Sequence, residues 1–124
     1  MSNFSNEVLE RIEKISNNQE INNSSNAFMR ASTKPKYCYN FSWLGRPIIQ
    51  YPQDIVAMQE IIWKVKPDLI IETGIAHGGS LIFSSSMLAL LDMEEAIRDN
   101  KLLDLENSSR KVLGIDVDIR KHNK

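Results

Sequence analysis

Apolar positions recur along the chain in two different rhythms. Near the start, Val8, Ile12 and Ile15 return at helical spacing with Leu9 beside them, which predicts a short amphipathic helix over Asn6 to Ser16. The next stretch, Asn17 to Asn26, is dominated by asparagine and serine. Side chains of this kind compete with regular backbone hydrogen bonding, so a mobile polar linker is expected. A second helical rhythm, Ile55, Met58, Ile62 and Val65, begins just after Pro52 and Asp54, residues suited to a first helical turn, and ends before Pro67. The rhythm then changes to a compact apolar run. Asp68 to Glu72, bounded by a proline and a glycine, reads as a strand buried in the middle of a parallel sheet.

Ser80 to Leu91 is apolar enough for a helix packed on that sheet, and Lys111 to Asp116 reads as a second strand. Asp92 to Ser109 between them is mixed and charged; extension of the helix and a surface insertion both fit it. The order helix, strand, glycine loop, helix, strand points to an α/β architecture with a doubly wound sheet. Residues 1–36 then form an amino-terminal helix and polar linker, and residues 37–124 the α/β part. An aromatic stretch, Tyr37 to Tyr51, is broken by a turn at Gly45-Arg46-Pro47 and suits a lid or brace that packs on the core.

Composition narrows the function. The 124 residues carry 15 Lys and Arg against 16 Asp and Glu, with no long block of either sign, so nucleic acid is not an expected partner. Cys38 is alone and reads as a small, partly buried side chain rather than a nucleophile. The first residues lack a basic start followed by an apolar run, and no apolar stretch approaches the twenty or so residues of a membrane span. A cytoplasmic protein is expected.

The loop Glu72-Thr73-Gly74-Ile75-Ala76-His77-Gly78-Gly79-Ser80 carries the chemistry. In a parallel sheet, a strand's carboxyl end opens onto a crevice, and the following helix presents unpaired N–H groups there. Gly74 can adopt a conformation closed to larger residues, while Gly78 and Gly79 remove side chains from the helix start. Ser80 offers a hydroxyl, and the helix end favours an anionic group such as a carboxylate. A tight turn with no ligand is the plainer reading of the same glycines. Glu72 puts negative charge where a pyrophosphate would sit, so it disfavours phosphate and favours a cationic amino or sulfonium ligand. The spacing is neither the Gly-x-Gly-x-x-Gly of dinucleotide folds nor a P-loop, which counts against a nicotinamide-dependent oxidoreductase.

At the end of the second strand, Asp116 and Asp118 flank Val117. Asp116 is positioned to accept from a ribose diol; a divalent metal held by the two carboxylates and a plain loop carboxylate are the other readings. His77 and His122 belong to no metal-binding pattern, and His77 is expected to shape the loop or touch a cofactor. Ser84-Ser85-Ser86 lacks a nucleophile-elbow pattern.

With these residues in view, the chain resembles the cephalosporin hydroxylase / rhamnosyl O-methyltransferase family over about Phe41 to Lys124. The resemblance rests on Trp43-Leu44-Gly45-Arg46-Pro47, Gln50-Tyr51-Pro52-Gln53-Asp54, Lys66 through Ser80, and Gly114 through Asn123. It implies a Rossmann-like class I methyltransferase fold, here incomplete, with the first two core strands and their flanking helices. It also implies S-adenosylmethionine as cofactor and methyl transfer to a hydroxyl of a sugar, a lipid-linked glycan or an antibiotic-like small molecule. Glu72, Gly74 and Ser80 would surround the methionine part of the cofactor and Asp116 its ribose, with Ala76, His77 and Gly78 completing the cofactor-binding set. The family's divalent metal, magnesium in a complete enzyme, would be held by acidic residues of later strands, so no metal ligand is assigned. The expectation is therefore the amino-terminal half of such an enzyme: a fragment or truncated product, or one completed by another chain or copy. An inactive truncated interaction module is the alternative.

Overall fold

The computed structural model describes residues 3–123. The chain divides into two compact units, Met1–Tyr37 and Cys38–Lys124. Among the described residues, no helix is long and apolar enough to cross a membrane.

The first unit is a pair of helices, α1 (Asn3–Ser16) and α2 (Gln19–Thr33). The expected linker is therefore helical. Asn18 explains the difference: its side chain accepts from the Ile21 amide at 3.0 Å and so caps α2, and the Asn22 amide group donates to the Ser16 carbonyl at 2.8 Å. Polar side chains that compete with a helix in its interior stabilise one at its first turn. Phe4, Leu9, Ile12 and Ile15 of α1 are exposed, and Val8 is half-buried.

The second unit opens with a β-hairpin, β1 (Phe41–Trp43) and β2 (Arg46–Ile48), paired antiparallel with Trp43 opposite Arg46. Leu44 and Gly45 both have positive φ, 46° and 79°. That is the two-residue turn whose twist matches a hairpin. The turn thus lies ahead of the expected Gly45-Arg46-Pro47, and Pro47 sits within an edge strand, where a missing N–H is tolerated. The aromatic stretch is a brace: the Trp43 indole donates to the Ser86 hydroxyl at 2.9 Å and meets Phe83 edge-on at 4.9 Å.

Helix α3 (Pro52–Val65) begins at its proline and ends where Lys66 turns left-handed and donates its N–H to the Ile62 carbonyl. Of the predicted apolar face only Ile62 is buried and Ile55 half-buried; Met58 and Val65 stay exposed. Strand β3 (Leu69–Thr73) pairs in parallel with β4 (Lys111–Ile115), Leu69 opposite Lys111 and Thr73 opposite Ile115. Between them runs α4 (Gly79–Arg98), followed by an irregular connection, so the ambiguous Asp92–Ser109 segment is partly helix and partly insertion. Arg110 anchors that connection: its guanidinium binds Asp92 and grips both oxygens of Glu95, at 2.6 and 3.1 Å.

Ile48, Ile62, Phe83, Leu88 and Leu91 form the core, with Trp43, Ile70 and Val112 packed against it. One face of the β3–β4 pair therefore meets α4. The other face, with Leu69, Ile71, Leu113 and Ile115, is about half exposed, so these strands are covered on one side rather than both. The described architecture is mixed α/β with a hairpin and a two-stranded parallel pair.

Candidate functional site

A cleft of about 450 Å³ opens where β3 ends, between α3, α4 and the hairpin. This lies within the range of small-molecule sites. Glu72, Gly74, Ala76, His77 and Ser80 all line it, joined by Gly79. Gly78 and Asp116 do not line it.

The loop is shaped by three left-handed residues, Gly74 (φ 79°), Ala76 (φ 44°) and Gly78 (φ 80°). At Gly74 a side chain would meet nothing within 4 Å, so glycine is used there for its backbone freedom. Gly79 has another reason. A Cβ there would collide with the Pro47 carbonyl, because the start of α4 lies directly on the hairpin backbone. Gly78 is similarly confined, its absent Cβ falling 2.7 Å from Asn123 Oδ1. Both glycines thus make room for the protein's own chain, Gly79 for the hairpin and Gly78 for the turn at Lys121–Asn123.

Glu72 points from the half-buried side of β3, and the Ser80 hydroxyl donates to its Oε1. No side chain caps α4. Gly79 and Ser80, at the positive end of α4, thus line the cleft beside a carboxylate, so both signs of charge face it.

Asp116 ties the second strand to the loop. Oδ2 accepts from the Ile75 amide at 2.8 Å and Oδ1 from the Asp118 amide at 3.0 Å. The Asp118 and Ile75 N–H groups, in that order, hold its carboxyl below the ordinary 3.8, against partial desolvation. The Ala76 and Val117 N–H groups lower it further, so backbone donors surround this carboxylate. Asp118 itself is exposed, and among the described residues no three His, Cys, Asp or Glu side chains converge as a metal-holding set.

His77 stacks on His122 with ring centroids 5.7 Å apart, and Arg120 approaches both of its ring nitrogens, at 2.7 and 3.0 Å. Desolvation first, then the charges of Arg120 and His122, push its pKa below 6.5. A neutral ring is what an arginine donor requires.

Two groups of residues escaped the sequence reading. Gln50, Asp54 and Met58 line the cleft from the hairpin's end and α3. Arg46 and Asn123 reach the glycine loop from opposite ends of the unit. The aromatic and Gly-Arg-Pro signals marked the hairpin, but nothing in the spacing says that it meets the loop.

No curated protein and no solved structure gives a significant match. A match to the protein family described as rhamnosyl O-methyltransferase/CmcI spans residues 35–124, and so takes in the hairpin, the cleft and both strands. The chain belongs to the rhamnosyl O-methyltransferase/CmcI family.

Proposed function

We propose that the chain holds S-adenosylmethionine for an O-methyltransferase acting on a hydroxyl of a sugar, lipid-linked glycan or antibiotic-like small molecule, with β3 and β4 as the first core strands of a Rossmann-like sheet. The observation that carries this reading is the pairing, at one cleft, of the Glu72 carboxylate with the uncapped start of α4. An amino-acid end group bears an ammonium and a carboxylate, and these two features attract one each. When bound, the cofactor supplies a methyl group on a sulfonium.

The chain's own residues bind and orient. Glu72 attracts the ammonium, with Ser80 fixing the carboxylate's direction through its hydroxyl. The amides of Gly79 and Ser80 receive the ligand's carboxylate. Asp116, kept ionised by the backbone N–H groups around it, accepts from a ribose diol at the end of β4. Rate would come from alignment of the acceptor hydroxyl with the methyl group. The described residues bring no metal-holding set together, and no step is assigned to a metal.

Calorimetric titration with S-adenosylhomocysteine tests the reading. Heat of binding that disappears in Glu72→Ala and weakens in Asp116→Ala is expected. Silence toward S-adenosylhomocysteine from the folded chain, with heat from NAD instead, overturns it.

A further inference from the structure

The glycine loop is held by more than its own backbone. From the hairpin, Arg46 Nη1 donates to the His122 carbonyl at 2.9 Å and to Asn123 Oδ1 at 3.1 Å, with a longer approach to the His77 carbonyl at 3.5 Å. Asn123 in turn donates through Nδ2 to the Ala76 carbonyl at 3.0 Å and fills the space a side chain on Gly78 would need. One cationic nitrogen thus joins the hairpin, the carboxyl-terminal turn and the loop. The loop needs such a hold, because Ala76 occupies a left-handed conformation that costs a non-glycine residue about 1 kcal/mol or more.

We infer that Arg46 and Asn123 are positioning residues that clamp the loop from Glu72 to Ser80 in its ligand-ready form. Neither lines the cleft, so neither acts by touching the ligand. Their effect on binding comes from the carbonyls of Ala76, His77 and His122, which they fix in place. The link from clamp to cofactor affinity rests on the function proposed above; the link from clamp to loop does not.

All contacts of Arg46 in the clamp pass through Nη1. An ammonium offers three donors on one nitrogen and can replace it, whereas a neutral chain of similar length cannot. Arg46→Lys is therefore expected to rescue what Arg46→Met loses.

The test uses the full chain in two measurements. In the ligand-free protein, amide exchange at Gly78, whose N–H is bonded to the Ile75 carbonyl at 2.7 Å, should speed up about tenfold or more in Arg46→Met and Asn123→Ala. It should stay within about threefold of the parent in Arg46→Lys, with the β3 amides unchanged in every variant. Asn123→Asp keeps an acceptor for Arg46 but loses the donor to Ala76, so it should accelerate Gly78 as well, and it decides the matter if Arg46→Met fails to fold. Parent-like Gly78 exchange in Arg46→Met, or in Asn123→Asp where it serves as the substitute, overturns the clamp. In the second measurement, S-adenosylhomocysteine should bind the accelerated variants about tenfold more weakly and Arg46→Lys normally. Unchanged affinity in a variant with a loosened loop overturns the positioning role. If the parent itself binds none, the function proposed above falls, and the Gly78 exchange still decides the clamp.

Discussion

The hydroxyl of Ser80, at the start of α4, donates to the carboxylate of Glu72, at the end of β3, and so bridges the two ends of the glycine loop across the cleft. The bond aims a charge. It leaves the rest of the carboxylate open to the cleft that both residues line.

Replacing that charge should cost more than replacing the bond that aims it. Glu72→Gln is expected to weaken S-adenosylhomocysteine binding by about tenfold or more, because a charge-assisted contact is lost, and Ser80→Ala by only a few fold. Titration calorimetry on both variants checks the order. Equal losses would mean that Glu72 acts through Ser80 rather than on the ligand.

Gly79→Ala should destabilise the second unit by about 1 to 3 kcal/mol, since the added methyl meets the Pro47 carbonyl, which is backbone and cannot swing aside. Gly74→Ala finds open space and meets only the strain of a positive φ. Urea melts of the two variants separate crowding from conformational strain, with the larger loss expected at Gly79.

Arg110 is 7 % exposed at its side chain and holds two carboxylates from α4. Arg110→Met leaves Asp92 and Glu95 facing each other without a cation. The melting temperature should fall by something on the order of 10 °C, and Arg110→Lys should fall between the two. A melt indistinguishable from the parent's would show that the insertion after α4 is held by something else.

Acid should weaken the fold in two stages of the same sign. His77 protonates less readily in the folded chain than its ordinary 6.5, through desolvation first and the nearby charges of Arg120 and His122 second. The unfolded chain then binds the extra proton, so this contribution is complete above 6.5 and is lost as pH falls below it. Glu95 and Asp116 lie below their ordinary 4.5 and 3.8, Glu95 chiefly through its hydrogen bond to Arg110 and Asp116 chiefly through the Asp118 amide. Their contribution is present above those values and disappears as pH drops through the lowered folded ones. Urea midpoints measured between about pH 8 and pH 3 should decline throughout, and His77→Asn should remove the upper stage.

The uncovered side of the parallel pair should bind an apolar dye. Leu69 and Leu113 are 51 % and 49 % exposed on that face. Changing both to threonine keeps β-propensity and removes apolar surface, so anilinonaphthalene sulfonate fluorescence should fall by about twofold or more. Unchanged fluorescence would place the dye elsewhere.

How far residues foretold this structure depends on the range over which each one acts. Pro52, Pro67 and the apolar run before Glu72 act locally, and the helix and strand they predict are present with boundaries shifted by a residue or so. Asn17 to Asn26 misled because asparagine both breaks helices and caps them, and only the position of Asn18 relative to Ile21 decides which. Glu72 and Ser80 were legible as neighbours because only five residues, Gly74 to Gly78, separate the strand end from the helix start. Arg46 and Asn123 were not, since they meet through tertiary packing across most of the unit. Gly78 and Gly79 mark the helix start in the sequence, but that their missing side chains make room for Asn123 and Pro47 is set by tertiary packing.

The Asp116 to Ile75 bond closes only after β4 has found β3, whose paired residues Leu69 and Lys111 stand about 42 positions apart. The hairpin pairs within a few residues, yet its contact with α4, Trp43 on Phe83, also spans about 40 positions. Both walls of the cleft are therefore closed by contacts about 40 positions apart. The hairpin turn alone closes locally, so the seat of the hairpin on α4 and the tie of the loop to β4 are expected to form together.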